Sequence, residues 1–144
     1  MIRLLIIASV LTGIVPPVGA QQDRPTAVGP DDLHWISPPL PGVEIAWAIG
    51  SETASGAYVQ RVRLAPNTTI PVHTHPDERV STVLSGTLRI GFGETVDKSQ
   101  GITVPAGGLY RAPAGMPHYV WSEDQTVVYQ ESGHGPTATR FKSR

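Results

Sequence analysis

Residues 71–86 read Pro71-Val72-His73-Thr74-His75-Pro76-Asp77-Glu78-Arg79-Val80-Ser81-Thr82-Val83-Leu84-Ser85-Gly86, and the fold is decided here. Pro76-Asp77 and Ser85-Gly86 are turn pairs, since proline presets one backbone torsion and glycine admits conformations closed to other residues. Residues 68–75 and 79–84 alternate between apolar or aromatic and polar side chains, the pattern of short strands. Side chains two apart on a strand share a face. His73 and His75 therefore point the same way, and Arg79, Ser81 and Val83 line one face of the next strand.

The same period of two extends along the chain. Val43, Ile45, Trp47 and Ile49 alternate with Glu44, Ala46 and Ala48. Residues 57–64, 87–92, 102–104, 109–112, 118–122 and 126–131 are likewise strand-like, with a polar loop at 93–101. Proline and glycine are abundant, 14 and 15 of 144 residues, and they fall between these runs rather than inside helical windows. The expectation is an all-β, antiparallel fold, either a sandwich or a closed barrel.

Before this domain, at 43–144, come two other segments. Residues 1–20 combine Arg3, an uncharged run from Leu4 to Val15, and Val18-Gly19-Ala20, the three-part pattern of a cleaved secretory signal. The apolar run is too short to span a bilayer and ends at Pro16-Pro17. The mature protein is expected to be periplasmic or secreted, with no membrane attachment after signal cleavage. Residues 21–42 form a Pro-rich extended arm, pinned to the body by Trp35 and Ile36. A net charge of −1 and no basic cluster argue against nucleic acid as a partner. The absence of cysteine excludes disulfides and thiol nucleophiles.

His73-Thr74-His75 can chelate a divalent ion through two imidazoles if a third ligand comes from elsewhere. Taken alone it reads instead as two surface histidines on an edge strand, since so short a motif recurs by chance. His34 and His134 have no motif around them and read as surface residues. Tyr119 and Trp121 are opposite in parity to His118 and read as packing.

Residues 71–86 resemble the first motif of the cupin superfamily. Gly107, then Pro113-Ala114-Gly115-Met116-Pro117-His118, resembles the second, with twenty residues between Gly86 and Gly107. The resemblance spans about residues 43–132. It implies a small jelly-roll β-barrel with His73, His75 and His118 as ligands to a divalent transition metal (Fe, Mn, Ni, Cu or Zn). A homodimer formed by edge-strand exchange is implied by the resemblance only.

The chain departs from the pattern at one ligand. The cupin motif places Glu seven residues before its closing Gly, and here that position is Arg79. Glu78, one residue earlier, faces outward by parity unless a bulge near Pro76-Asp77 reverses it. The Asn that often ends the second motif is Ser122. A guanidinium has no free lone pair and is not a ligand. Arg79 has three outcomes: pairing with Asp77, Glu78 or Glu131; bridging to an anionic substrate beside the metal; or a site without metal. The second makes Arg79 the candidate catalytic residue, gripping an acid group.

The resulting expectation is an exported single-domain cupin that binds a divalent metal and acts on a small anionic molecule. Oxidative cleavage by dioxygen is the first reaction class, with isomerase or lyase chemistry behind it. The alternative is a non-catalytic module that binds a carboxylate or sugar acid.

Overall fold

Alternation along the chain becomes strand burial in the computed structural model, which describes residues 26–142. The signal segment expected at 1–20 and the first residues of the arm lie outside the described residues. The strands are β1 (Val43–Ile49), β2 (Gly56–Leu64), β3 (Thr69–Thr74), β4 (Arg79–Ser85) and β5 (Thr87–Phe92), followed by β6 (Ile102–Pro105), β7 (Leu109–Ala112), β8 (His118–Trp121), β9 (Val127–Gly135) and β10 (Arg140–Phe141). Two five-stranded sheets result, in the orders β1-β2-β9-β4-β7 and β10-β3-β8-β5-β6. Each pairing within them is antiparallel. This is the all-β antiparallel fold expected from the strand runs, in the jelly-roll form that the resemblance implied.

The inner faces of the two sheets pack on each other. On β2, Tyr58, Gln60, Val62 and Leu64 turn inward while Ala57, Val59, Arg61 and Arg63 turn outward. Leu64, Leu88, Ile90 and Val127 are fully buried at the centre. Each such side chain contributes about 1.5–3 kcal/mol relative to exposure. A second apolar cluster, Val72 with Tyr119 and Trp121, lies apart from this core. The loop at 93–101 covers it: the Tyr119 hydroxyl donates to the Asp97 carbonyl and accepts from the Asp97 N–H, both at 2.8 Å. Tyr119 and Trp121 thus pack, as their parity implied.

The Pro-rich arm is held to β1 and β2. Ile36 and Ile45 exchange backbone hydrogen bonds of 2.9 Å, and the Arg63 guanidinium sits 3.9 Å above the Trp35 ring. Two features go beyond the sequence reading. β9 continues through Ser132-Gly133-His134-Gly135, a stretch whose composition reads as loop. It pairs with β2 because Gly133 leaves room for the Tyr58 hydroxyl and the Asp77 carboxylate; a Cβ there would meet Asp77 Oδ2 at 2.5 Å. The chain then returns as β10 alongside β3, a two-residue pairing too short for periodicity to mark.

Gly86 and Gly107 separate two costs of glycine replacement. Both have positive φ, +75° and +84°, but a Cβ on Gly86 would lie 2.6 Å from the Thr126 carbonyl oxygen, whereas one on Gly107 meets nothing within 4 Å. Gly107→Ala should therefore cost only the backbone strain, about 1 kcal/mol. Gly86→Ala should cost about 2–4 kcal/mol because overpacking adds to it. Urea denaturation of the two variants measures the difference, and equal losses would contradict the steric account.

Candidate metal centre

Neighbouring strands of one sheet bring the three motif histidines together. His73 on β3 is the direct cross-strand partner of His118, the first residue of β8. The register shifts between Ile70 and His73, and His75 follows immediately after the end of β3. All three are buried. Their ring centroids are 4.9 Å (His73–His75), 4.3 Å (His73–His118) and 5.1 Å (His75–His118) apart. One nitrogen from each lies within 4.8 Å of the other two.

The tautomers follow from the second nitrogen of each ring. Nδ1 of His73 donates to the Pro71 carbonyl at 2.8 Å, that of His75 to the Ala138 carbonyl at 2.8 Å, and that of His118 to the Met116 carbonyl at 2.9 Å. A carbonyl can only accept, so Nδ1 carries the proton and Nε2 keeps its lone pair. Nε2 of His75 is buried without any hydrogen-bond partner. Burial, aided by the positive charges of neighbouring groups, holds His73 and His75 down at about 3, and burial also lowers His118. Three neutral, pre-oriented imidazoles fit a divalent transition metal, and the outer hydrogen bonds that fix them are of the kind that tune such sites.

Arg79 faces these histidines from the opposite sheet. It is 3% exposed, and its Nη1 donates to Glu131 Oε2 at 2.5 Å. Nη2 donates to Thr137 Oγ1 at 2.9 Å, and Nε lies 4.0 Å from Asp77 Oδ1. Thr137 in turn donates to Asp77, which also accepts from the Tyr58 hydroxyl at 2.6 Å. Burial, the largest single influence, opposes the guanidinium charge, but the combined pull of Glu131, Tyr58 and Asp77 and the hydrogen bond to Glu131 raises the pKa. Of the three outcomes open to Arg79, the first is the one adopted, with Glu131 as the main partner. Glu78 points outward to the exposed Arg111, with 2.6 Å between Nη2 and Oε2, so no bulge turns it inward. Ser122 is structural: its hydroxyl donates to the Ala65 carbonyl at 2.6 Å and accepts from the Thr68 N–H at 3.0 Å. His34 and His134 are exposed.

Beside the histidines lies a cavity of about 470 Å³, whose lining includes His73, His75, Arg79, Glu131 and Gln60. Gln60 and Glu131 are cross-strand partners on β2 and β9, and Ser81 on β4 faces Glu131 from the other side. Parity could have found this row, because Glu131 shares a face with Val127 and Tyr129, and an acidic residue on a buried face requires a partner. Thr137 carried no such signal. Because the Arg79–Glu131 pair is buried, Arg79→Met should destabilise by about 3–5 kcal/mol by leaving the carboxylate unpaired. The double variant Arg79→Met/Glu131→Met should recover most of that loss in urea denaturation. Additive losses would contradict direct pairing.

Residues 60–129 match the family model described as a cupin domain. Germin-like protein 1-1 of Oryza sativa subsp. japonica is 36% identical over 84 residues, 58% of this chain and 35% of that protein. The chain thus matches about a third of the length of that curated relative. A polyketide cyclase from Streptomyces resistomycificus has the same fold, with a TM-score of 0.67, 20% identity, and coverage of 84% of this chain and 89% of that one. A cupin-2 domain protein from Rhodospirillum rubrum superposes with a TM-score of 0.64 at 12% identity, over 84% of this chain and 82% of that one. Two antiparallel sheets, both histidine motifs converging between them, and these matches have one common reading: the chain belongs to the cupin superfamily.

Proposed function

We propose that this cupin is an exported, metal-dependent enzyme that binds one divalent transition metal through His73, His75 and His118 and acts on a small anionic molecule in the adjoining cavity. The observation that carries the reading is the convergence of three neutral imidazoles whose Nδ1 atoms are all committed to carbonyls. When bound, the metal supplies a Lewis acid with positions left open by the three protein ligands. Dioxygen-dependent oxidative cleavage is the first reaction class proposed, with isomerisation or elimination next.

The chain's own residues supply the rest. Arg79 fixes the Glu131 carboxylate against the cavity, and Thr137 and Asp77 hold the guanidinium in place. Arg79 lines the cavity, so its guanidinium places positive charge beside the acidic group of a bound molecule. Glu131 provides a carboxylate at the cavity wall, the one group in this row able to take a proton from a bound molecule.

Metal analysis of tag-free protein reconstituted with Fe(II), Mn(II), Ni(II), Cu(II) or Zn(II) should give one equivalent per chain for at least one ion. His73→Ala or His118→Ala should weaken binding of that ion by roughly 100-fold or more. Less than a tenth of an equivalent with every ion would overturn the proposal. A carboxylate-binding module without turnover predicts instead that organic acids raise the thermal midpoint equally in wild type and His73→Ala.

Acidification tests the buried imidazoles separately. Their folded-state pKa values of about 3 lie below the ordinary 6.5, so the unfolded chain binds more protons between these values. The metal-free protein should therefore lose stability as the pH falls through that window, by up to about 1.4 kcal/mol per pH unit for each histidine. Thermal midpoints between pH 7 and pH 5 should fall more gently for His75→Gln than for wild type. Identical slopes would show that His75 is not buried neutral.

A further inference from the structure

The cavity beside the histidines is lined by apolar as well as polar side chains. Ile36, Leu40, Val43, Ile45, Trp47 and Val62 are among the apolar ones, contributed by the arm, β1 and β2. Trp47 is braced edge-on against Tyr58, with centroids 5.5 Å apart. The volume of about 470 Å³ is far more than a metal and its coordinated water occupy, and it falls in the size range, roughly 300–1,000 Å³, of pockets that enclose a drug-sized ligand.

Charge limits the ligand as well. Among the lining residues, Arg79 is offset by Glu131, and Glu52, which is exposed, adds one further negative charge. A divalent ion on three neutral imidazoles then leaves a single positive charge for a ligand to balance. A second negative charge on the ligand would find no cation of its own among the described lining residues, since the Arg79 guanidinium already has Glu131.

We infer that the molecule taken by this site is a monoanion with an extended apolar body, its acidic head at the histidines and Arg79 and its body along the wall of Ile36, Leu40, Ile45 and Trp47. This excludes compact dianions such as oxalate from the preferred class. The placement of the head rests on the metal-binding reading above; the wall does not depend on it.

Isothermal titration of the full chain with straight-chain monocarboxylates from acetate to octanoate tests both ends. With Zn(II)-loaded protein, affinity should rise about fourfold per added methylene until the wall is covered. Oxalate should bind more weakly than octanoate. Ile36→Asp, at a side chain already 55% exposed, and Ile45→Asn, as a second substitution of the wall, should each lower the octanoate-to-acetate affinity ratio about tenfold. No dependence on chain length, oxalate binding more tightly than octanoate, or an unaltered ratio in both variants would overturn the inference. Repeating the series on metal-free protein separates it from the metal reading. A retained increment per methylene with uniformly weaker binding supports both. Identical titrations with and without metal overturn the metal-held head while the retained increment supports the wall; stronger binding with metal but no chain-length dependence overturns the wall alone.

Discussion

A guanidinium that is 3% exposed has to be neutralised where it stands, and the functional end of this barrel is organised around doing so at Arg79. The charge sits on β4, its main counter-charge Glu131 on the adjacent strand β9, and its further support comes from Thr137 and Asp77 in the connecting segments. Removing either charge strands the other in a medium where an unpaired ion costs several kcal/mol. The pair therefore ties the two strands' inner faces together and fixes where the Glu131 carboxylate lies. It also explains why Gly133 is glycine, because the Tyr58–Asp77 hydrogen bond that completes the network passes through the space a side chain would occupy.

That constraint alters the character of the metal centre. Elsewhere in the superfamily pattern the position of Arg79 carries a carboxylate that ligates the ion. Here the carboxylate is on β9, a strand further round the sheet, and is engaged by the arginine. The histidines face it from the opposite sheet, each with its Nδ1 proton committed to a backbone carbonyl and its Nε2 available. In the proposed reading such a centre would hold its ion with neutral donors only, and the charge that Glu52 does not offset would fall to the occupant of the cavity. On the same reading, the apolar wall supplied by the arm and β1 would select the remainder of that occupant by burial rather than by charge.

Much of this was legible before any coordinates. Val43, Ile45 and Trp47, like Tyr58, Val62 and Leu64, announced strands through their period of two, and Gly and Pro marked the turns. His73 and His75 shared a face by parity, and Glu78 was assigned outward on the same ground. What escaped was pairing that composition conceals. Ser132-Gly133-His134-Gly135 looks like loop because glycine has no strand propensity, yet tertiary contact with β2 imposes extended structure on it. Thr137, distant in sequence and chemically ordinary, gave no sign that it would hold Arg79.

Local order and side-chain facing are short-range properties, set by sterics between adjacent residues. For that reason the amino-acid sequence alone determined the all-β architecture, the turn positions and the shared face of His73 and His75, whereas His118 joined them only through the resemblance of its motif. Which carboxylate would neutralise Arg79 depended on the register between β4 and β9 and on the chain returning past the barrel end to bring Thr137 alongside. Asp77, Glu78 and Glu131 were equal candidates by residue type. Only the tertiary structure chose among them, because burial makes pairing obligatory and sheet geometry decides which partner is within reach.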